Sequence, residues 1–444
     1  MKIELTIKVD YLPTWGAYEG LRELLQNGKD AETEFNSPLE VRYRRDTNTV
    51  VIENEGCMIP HEALLFGHTT KLGRSEMIGK FGEGLKLGVL ALVRKGHAVK
   101  IRSGSEVWVP RIERSEKFNA DVLTFHIEKG RQEKDRVQVE VSGIPQDEWD
   151  AIKSKFLFLS SSVERVVTGR GDLLLSQEHI GKIFVKGIFV ELDPKLKYGY
   201  DFNKDGVELD RDRKMVERYS LQYQTRAIWT EAMSRKSDLI GSFAELLDAE
   251  AMDIQGMDEY AAGYLPVETV KTVVERFKSE HGDTAVPVLD LAESREIEHL
   301  GRKGIVVNRQ MKAVLQRELG TTDQIKLALK NEVTHQHSWG DLYPHEQANI
   351  EMAMELLEGA IDLSLEKIQI VSFRDSKLNG LYLSQSDTIQ IAKRALATWD
   401  DALQILIHEA AHRKGIDGEY GHVVQMQKLW KAAARKLHER AVFA

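Results

Sequence analysis

The sequence of 444 residues has almost no cysteine and no long apolar run. Cys57 is the only cysteine, so no disulfide can form within the chain and nothing indicates an oxidising compartment. The longest apolar runs, such as residues 85–93, fall well short of the ~18–20 residues that a membrane span needs. The first residues alternate like a strand and lack the apolar core of a signal peptide. We therefore expect a cytoplasmic protein with no membrane partner.

A strong excess of one charge is also missing. The chain has 61 Lys and Arg against 70 Asp and Glu, which gives a net charge of −9. This balance creates no general attraction to nucleic acid, so a nucleic-acid partner is disfavoured although local basic clusters remain. Hydrophobic residues make up an ordinary 42%, and the length allows about two to four globular domains.

Hydrophobic periodicity predicts an α+β multidomain protein. Helical and alternating strand patterns mix in the first part of the chain, which is typical of helices grouped against a mostly antiparallel sheet. The pattern changes three times further along. The predicted divisions are residues 1–143, an α/β sandwich; 144–235, a second α/β domain; 236–340, a mainly helical connector; and 341–444, a C-terminal α+β domain.

A helix predicted at residues 18–32 carries three polar side chains on one face. Glu23 and Asn27 are four residues apart, and Asn27 and Asp30 are three apart. A carboxylate beside an amide oxygen suits the positioning of a water molecule and of a hard cation such as Mg²⁺. The same spacing occurs on many solvated helix faces, so this motif alone identifies no site.

Two glycine-containing motifs follow. Asn54 and Gly56 come directly after a predicted strand, and a glycine-rich stretch then runs into an apolar helix. Glycines leave backbone N–H groups free to approach an anion, and the helix directs its positive end to the same place. The candidate residues from this second stretch are Thr70, Lys71, Gly79, Gly82, Gly84 and Lys86.

The three motifs in this order resemble those of the GHKL ATPases, the superfamily of heat-shock chaperone, gyrase, histidine kinase and MutL-type proteins. The resemblance covers roughly residues 15–130 and implies a Bergerat-type sandwich that binds ATP and Mg²⁺. It implies that Glu23 is the general base and that Asn27 is the Mg²⁺ ligand, supported by Asp30. Relatives often dimerise when ATP binds, which implies an ATP-dependent homodimer.

The same resemblance assigns the remaining nucleotide contacts. It puts Gly56 against the adenine and Thr124, on a late strand, in the adenine pocket. The implied lid over the phosphates contains Gly79, Gly82, Gly84 and Lys86. The family usually has Asp where this chain has Asn54, so the acceptor for the adenine amino group is uncharged here.

Residues 183–190 look similar to the strand–turn–strand of the second, transducer-like domain in MutL- and chaperone-type members. In those proteins a lysine reaches back to the γ-phosphate, which makes Lys186 the candidate and Lys182 the next choice. The competing interpretation is that Lys186 is simply the lysine of a hairpin turn.

The C-terminal part contains an apolar helix with the pattern HExxH. His408 and His412 are four residues apart and project from one helix face, the spacing that two Zn²⁺ ligands need. Glu409 then lies beside the metal, where it can take a proton from water. His422 is the predicted third ligand, and Asp417 and Glu419 are the alternatives. Two satisfied histidines on a packed helix would give the same pattern.

This region, roughly residues 345–435, resembles the zincin metallopeptidases, and SprT-like members more than metzincins. The resemblance implies a protein or peptide substrate. Residues 381–392 read as an edge strand that would align such a peptide by strand addition. Together the two halves predict an ATP-regulated zinc metallopeptidase. The alternative is a chaperone-like clamp or a DNA-transaction switch whose zinc domain binds a partner without cleaving it.

Overall fold

The computed structural model describes residues 1–65, 78, 82–131, 135–203 and 218–443. It contains several sheets with helices packed on them, so the α+β multidomain prediction is confirmed. The chain divides into two compact units, Met1–Gly256 and Met257–Ala444. The predicted boundaries after residues 143, 235 and 340 lie inside these units, and the four-domain division stays a prediction.

The first unit begins with a seven-stranded sheet in the order β1-β6-β5-β4-β7-β3-β2. All neighbouring strands in it run antiparallel. The elements of this layer are β1 (Lys2–Lys8), α1 (Ala17–Phe35), β2 (Leu39–Arg44), β3 (Thr49–Glu55), α2 (Gly84–Arg94), β4 (Ala98–Ser103), β5 (Glu106–Ser115), β6 (Ala120–Lys129), β7 (Arg136–Ser142) and α3 (Gln146–Lys153). Helices and sheet share one hydrophobic core, as the alternating pattern predicted.

Helices α1 and α2 approach each other at glycines. A Cβ atom on Gly20 of α1 would lie 2.5 Å from Leu92 Cγ and 2.9 Å from the carbonyl oxygen of Gly88, both on α2. Leu21 and Leu25 of α1 are fully buried beside this contact. The absence of side chains at Gly20 and Gly88 therefore lets the two backbones come close over the sheet.

A five-stranded sheet in the order β11-β10-β12-β9-β8 follows in the same unit. Its elements are β8 (Arg165–Val167), β9 (Gly171–Leu174), β10 (Lys182–Val185), β11 (Ile188–Leu192) and β12 (Gly199–Phe202), followed by α4 (Arg218–Arg235) and α5 (Leu239–Asp248). β10 and β12 are parallel, and the other pairs are antiparallel.

The hairpin β10–β11 packs on the first layer. Ile188 belongs to the core of the seven-stranded sheet, and the Tyr18 hydroxyl of α1 donates to the carbonyl oxygen of Phe189 at 3.2 Å. Phe156 forms a β-bridge with Ile188. Helix α3 ends at Lys153, and the backbone is extended at Phe156, where it makes this bridge.

The second unit contains a small parallel pair of strands and a four-stranded sheet in the order β15-β16-β18-β17. Its elements are α6 (Glu259–Ala262), α7 (Val267–His281), β13 (Ala285–Val288), α8 (Leu291–His299), β14 (Lys303–Val306), α9 (Arg309–Leu319), α10 (Thr322–Lys330), β15 (Val333–His337), α11 (Pro344–Leu357), β16 (Ile368–Phe373), β17 (Gly380–Leu383), β18 (Thr388–Ala392), α12 (Trp399–Ala411) and α13 (Tyr420–Phe443). The predicted helical connector thus also contains a β13–α8–β14 crossover.

Helix α12 lies at the centre of the C-terminal core. It begins after Thr398, whose hydroxyl accepts a hydrogen bond from the N–H of Asp401 at 3.3 Å. Leu403, Leu406 and Ile407 are buried in the core formed with α11, α13 and the sheet. In the described part of the chain, no helix combines the length and the apolar character needed to cross a bilayer.

The glycine contact between α1 and α2 predicts a large cost for a single methyl group. Gly20→Ala should lower the free energy of unfolding by about 1–3 kcal/mol because the new Cβ would overlap Leu92 and the backbone of Gly88. Gly241→Ala is the matched control, since a Cβ at this position in α5 meets nothing within 4 Å. The control should instead gain roughly 0.5–1 kcal/mol. Equal urea midpoints for the two variants would contradict this packing.

Candidate functional site

The polar face predicted on α1 is present in the folded helix. Glu23 and Asp30 are buried, whereas Asn27 is partly exposed. The Glu23 Oε1 atom accepts hydrogen bonds from Arg22 Nε at 3.1 Å and Arg22 Nη2 at 2.9 Å. Asp30 Oδ1 accepts from the N–H of Ile78 at 2.6 Å. Two carboxylates and an amide therefore occupy fixed places along one helix.

Glu23 also lies against the start of α2. A Cβ atom on Gly84, the first residue of α2, would collide with Glu23 Oε2, and one on Gly88 would lie 3.0 Å from Glu23 Cβ. The first N–H groups of a helix have no partner within the helix and carry partial positive charge. The carboxylate of Glu23 is thus next to a helix end that favours an anion.

Asn54 ties the end of β3 to the end of α1. Its Nδ2 atom donates to the carbonyl oxygens of Gly28 at 3.0 Å and Ser37 at 2.9 Å. An aspartate could not donate these bonds, which gives a physical reason for the amide at this position. Gly56 has a φ of 81°, and a Cβ there would meet nothing within 4 Å.

Lys86 has a structural role in this conformation. Its Nζ atom donates to three carbonyl oxygens: those of Ala63 at 3.0 Å, Leu65 at 2.6 Å and Gly82 at 2.6 Å. Burial lowers the pKa of the Lys86 ammonium group. The predicted contact of Lys86 with phosphate stays a prediction.

Three of the predicted nucleotide residues, Thr70, Lys71 and Gly79, lie outside the described residues. Gly82 is described and has a φ of 64°, a backbone conformation that favours glycine. It lies two residues before α2, so it belongs to the segment that enters this helix.

The structure does not bring Thr124 to the pocket near Asn54. Thr124 lies on β6, which three strands, β7, β4 and β5, separate from β3. At ~4.8 Å per strand spacing, the two residues are roughly 19 Å apart across the sheet. Its sequence neighbours Leu123 and Phe125 face the helix-covered core, so Thr124 faces the other side of the sheet. The alternating sequence pattern identifies β6 as a strand but does not show which strands lie beside it. The neighbours of β3 are β7 and β2, so β6 does not reach Asn54.

Lys186 and Gly187 form the tight turn between β10 and β11, with φ values of 51° and 74°. Two left-handed residues in succession are typical of a type I′ hairpin turn. The N–H of Gly187 donates to Asp201 Oδ1 at 2.7 Å. Burial raises the pKa of Asp201 to about 7. The structure thus contains the predicted strand–turn–strand, and the contact of Lys186 with a γ-phosphate stays a prediction.

In the second unit, four side chains converge at the end of α12. His408, His412, His422 and Asp417 each present one possible ligand atom, and these atoms all lie within 4.8 Å of one another. The three imidazole rings have centroid separations of 5.1, 5.1 and 4.5 Å. Asp417 and His422, predicted as alternatives for one ligand position, are both in the cluster, whereas Glu419 is outside it.

The imidazoles are oriented by their surroundings. His412 Nδ1 lies 3.2 Å from the carbonyl oxygen of Gly415, which favours a proton on Nδ1 and leaves the lone pair of Nε2 for the cluster. His422 is 3% exposed, and its Nε2 atom is buried without a hydrogen-bond partner. Burial lowers the pKa of His408. Neutral imidazoles are the form that binds a metal ion.

Glu409 is buried beside these histidines. Its Oε2 atom lies 4.0 Å from His412 Nε2, and it accepts a backbone hydrogen bond from Tyr382. A Cβ atom on Gly380 would lie 2.6 Å from Glu409 Oε1, so this glycine makes room for the carboxylate. Burial raises the pKa of Glu409 to about 7, which suits a general base near neutral pH.

Strand β17 forms the edge of the sheet next to Glu409. Within the predicted segment 381–392, it is β17 that lies at the edge, whereas β18 is interior between β16 and β17. The role of Gly380 in making room for Glu409 was not predicted from the sequence, because Gly380 precedes that segment. Its one sequence signal is a glycine directly after Asn379. An edge strand offers unpaired backbone groups to an extended peptide.

The donor set fits a zinc ion. Three imidazole nitrogens and one carboxylate oxygen form a ligand combination that Zn²⁺ accepts. The unpartnered, buried Nε2 atom of His422 is the strongest sign, because a buried polar atom without a partner is costly unless another group binds it. In the described part of the chain, this is the only group of three or more His, Cys, Asp or Glu side chains that could hold a metal ion.

The similarities of this chain to known proteins are distant. No family model matches the sequence. An uncharacterized protein of Mycoplasma pneumoniae is 21% identical over 245 residues, which cover 53% of this chain and 99% of that protein. Two crystal structures of the ATPase region of Saccharomyces cerevisiae topoisomerase II, one bound to ICRF-187 (dexrazoxane), are similar at 11% identity and a TM-score of 0.31. Each similarity covers 50% of this chain and 85% of the other, and this TM-score is too low to assign a fold.

The raised pKa of Asp201 predicts a pH-dependent stability. The folded protein keeps this proton up to about pH 7, whereas the unfolded chain releases it near 3.8, so the free energy of unfolding falls as the pH rises between these values. Asp201→Asn keeps an oxygen acceptor for Gly187 and carries no charge. The stability of this variant relative to the wild type should therefore rise by about 1–3 kcal/mol between about pH 5 and pH 8.

Urea midpoints at the two pH values measure this change. Asp147→Asn, at an exposed position in the first turn of α3, is the matched control and should follow the wild type. The same pH response in both variants would contradict the assignment to Asp201.

Proposed function

We propose that this protein is an ATP-regulated zinc metallopeptidase that cleaves a protein or peptide substrate. The observation that carries the proposal is the convergence of His408, His412 and His422 beside the buried carboxylate of Glu409. A Zn²⁺ ion held by the three imidazoles would act as a Lewis acid on a carbonyl group and would acidify water.

Glu409 has the position of the general base and acid. Its carboxylate would take a proton as a water oxygen attacks the carbonyl carbon of the peptide bond. It would return that proton to the nitrogen as the C–N bond breaks, so the step needs no further reactant. The burial of Glu409 and its backbone contact with Tyr382 hold the carboxylate beside the histidines for this exchange.

The substrate would bind as an extended chain along β17. This strand lies at the sheet edge and makes backbone contact with Glu409 through Tyr382. Added as a strand, a peptide would have its carbonyl groups directed along the same edge, toward the histidine cluster. Ile416 and Tyr420 are largely exposed near the cluster and offer apolar contacts to substrate side chains.

The N-terminal half would bind ATP with Mg²⁺. Glu23 would orient the attacking water, Asn27 would bind Mg²⁺ with support from Asp30, and the segment entering α2 would contact the phosphates. The contact between Glu23 and the first residue of α2 supports this arrangement, because it joins a potential base to a helix end that attracts anions. ATP would then control the peptidase, through ATP-dependent dimerisation or a change within the chain.

A second candidate function is a nucleotide-driven clamp whose zinc domain binds a partner without cleaving it. The observation in its favour is Asp417, whose carboxylate lies close to all three imidazoles. Four protein ligands are typical of structural zinc sites, whereas catalytic sites keep one position open.

Glu409→Gln tests the peptidase. The variant should keep its zinc and its ATP binding but lose cleavage of an unfolded protein such as casein by about 10²–10⁴-fold, because the amide cannot accept the proton. Glu351→Gln, at an exposed position on α11, is the control. Cleavage that survives in Glu409→Gln would refute the assigned role.

Glu23→Gln tests the ATPase separately. ATP hydrolysis should fall by about 10²-fold or more while the dissociation constant for ATP changes little, since the glutamine keeps the size of the side chain. Glu32→Gln on the same helix is the matched control, because the Glu32 side chain is half-exposed and pairs with Lys29. Loss of nucleotide binding in Glu23→Gln, with hydrolysis per bound ATP unchanged, would contradict a role as general base.

A further inference from the structure

Asp417 lies at nearly the same distance from each imidazole of the cluster. Its Oδ1 atom is 3.4 Å from His408 Nε2, 3.7 Å from His412 Nε2 and 3.6 Å from His422 Nε2. A carboxylate oxygen that pairs with one histidine would approach that ring and leave the others. The near-equal distances place this oxygen beside all three nitrogens rather than in a pair with one of them.

The distances agree with a tetrahedral zinc site. With Zn–N and Zn–O bonds of about 2.0–2.2 Å, neighbouring ligand atoms of a tetrahedron are roughly 3.3–3.6 Å apart. The separations from Asp417 Oδ1 to the three Nε2 atoms match this edge length within a few tenths of an ångström. Asp417 Oδ1 therefore lies where a fourth ligand of such a site would be, at the position that a catalytic zinc site leaves to water or substrate.

Asp417 is held much less firmly than the histidines. His408 is on α12 and His422 is buried on α13, both packed in the C-terminal core, whereas the Asp417 side chain is 70% exposed. It lies between Gly415 and Gly418, whose φ values are 157° and 81°. In the described part of the chain, its carboxylate has no hydrogen-bond or ion-pair partner other than the three imidazoles.

We propose that Asp417 is a fourth zinc ligand that closes the metal centre at rest and must leave it before a substrate can bind. This inference rests on the proposed function and adds its regulation. Withdrawal of Asp417 needs movement of its own side chain and not of Gly415, whose carbonyl oxygen lies 3.2 Å from His412 Nδ1, because the carboxylate contacts the three imidazoles alone among the described residues. Glu409 stays beside the cluster in either state, held by its contact with β17.

A permanently closed structural site would explain the four ligands but not Glu409. A structural zinc ion needs no buried carboxylate next to its ligands, and burying one without an opposite charge is costly. The glycine at position 380 makes room for that carboxylate. A closed fourth position together with Glu409, a general base beside the cluster, favours a metal site that opens to bind substrate.

The test uses the full-length protein with cobalt in place of zinc and acetohydroxamate as the probe of an open metal position. Asp417→Ala should still bind one metal ion, with a zinc dissociation constant raised by about 10-fold or more. Acetohydroxamate should bind to the cobalt form of this variant at least about 10-fold more tightly than to the wild type, read from the visible absorption bands of cobalt. Asp417→Asn, which keeps the side-chain shape, should behave in the same direction.

Asp400→Ala, at an exposed position at the start of α12, is the control and should match the wild type in both measurements. Equal zinc affinity in the wild type and Asp417→Ala would show that Asp417 is not a ligand. A lower zinc affinity without tighter acetohydroxamate binding would refute the closing role. A wild-type protein that binds neither metal would refute the proposed peptidase itself, which is a different outcome from either of these.

Discussion

The C-terminal part of the chain depends on the convergence of three imidazole rings on one point. Their positions require α12 and α13 to pack so that His422 of α13 faces His408 of α12 and His412, the residue directly after α12. Bringing three ring nitrogens together is unfavourable unless a cation joins them, because His422 Nε2 is buried there without a hydrogen-bond partner. Metal binding would therefore stabilise the fold of this domain as well as supply its chemistry.

The arrangement of Glu409 follows from the same packing. A carboxylate one residue after His408 must lie near the cluster, and the close approach of β17 at Gly380 removes it from solvent. Its pKa is about 7 for this reason. In the N-terminal unit a comparable contact exists, since Gly20, Gly84 and Gly88 let α2 approach α1 until Glu23 reaches the first turn of α2. In both units, glycines leave room for a carboxylate that is buried where two elements meet.

The sequence allowed good prediction of features that depend on local spacing. The helices carrying Glu23 and His408, the hairpin turn at Lys186 and the convergence of His422 with the HExxH helix all follow from periodicity or short motifs. Features set by long-range pairing were out of reach. Strand order cannot be read from a strand pattern, so the separation of Thr124 from Asn54 could not be predicted, and two of the three carbonyl contacts of Lys86 involve residues more than 20 positions away. Asp417 and His422 both reach the histidine cluster because of the path of the loop between α12 and α13. Their spacing in the sequence could not show whether one or both would do so.

The metal content of the purified protein tests the central claim most directly. Elemental mass spectrometry on the wild type, on His412→Ala and on His345→Ala separates a specific site from general histidine binding, since His345 is exposed on α11. We predict about one zinc per chain in the wild type and in His345→Ala, and less than about a tenth of that in His412→Ala. No zinc in the wild type, even after zinc is supplied, would contradict the account. The histidines would then be packing residues of α12 and α13.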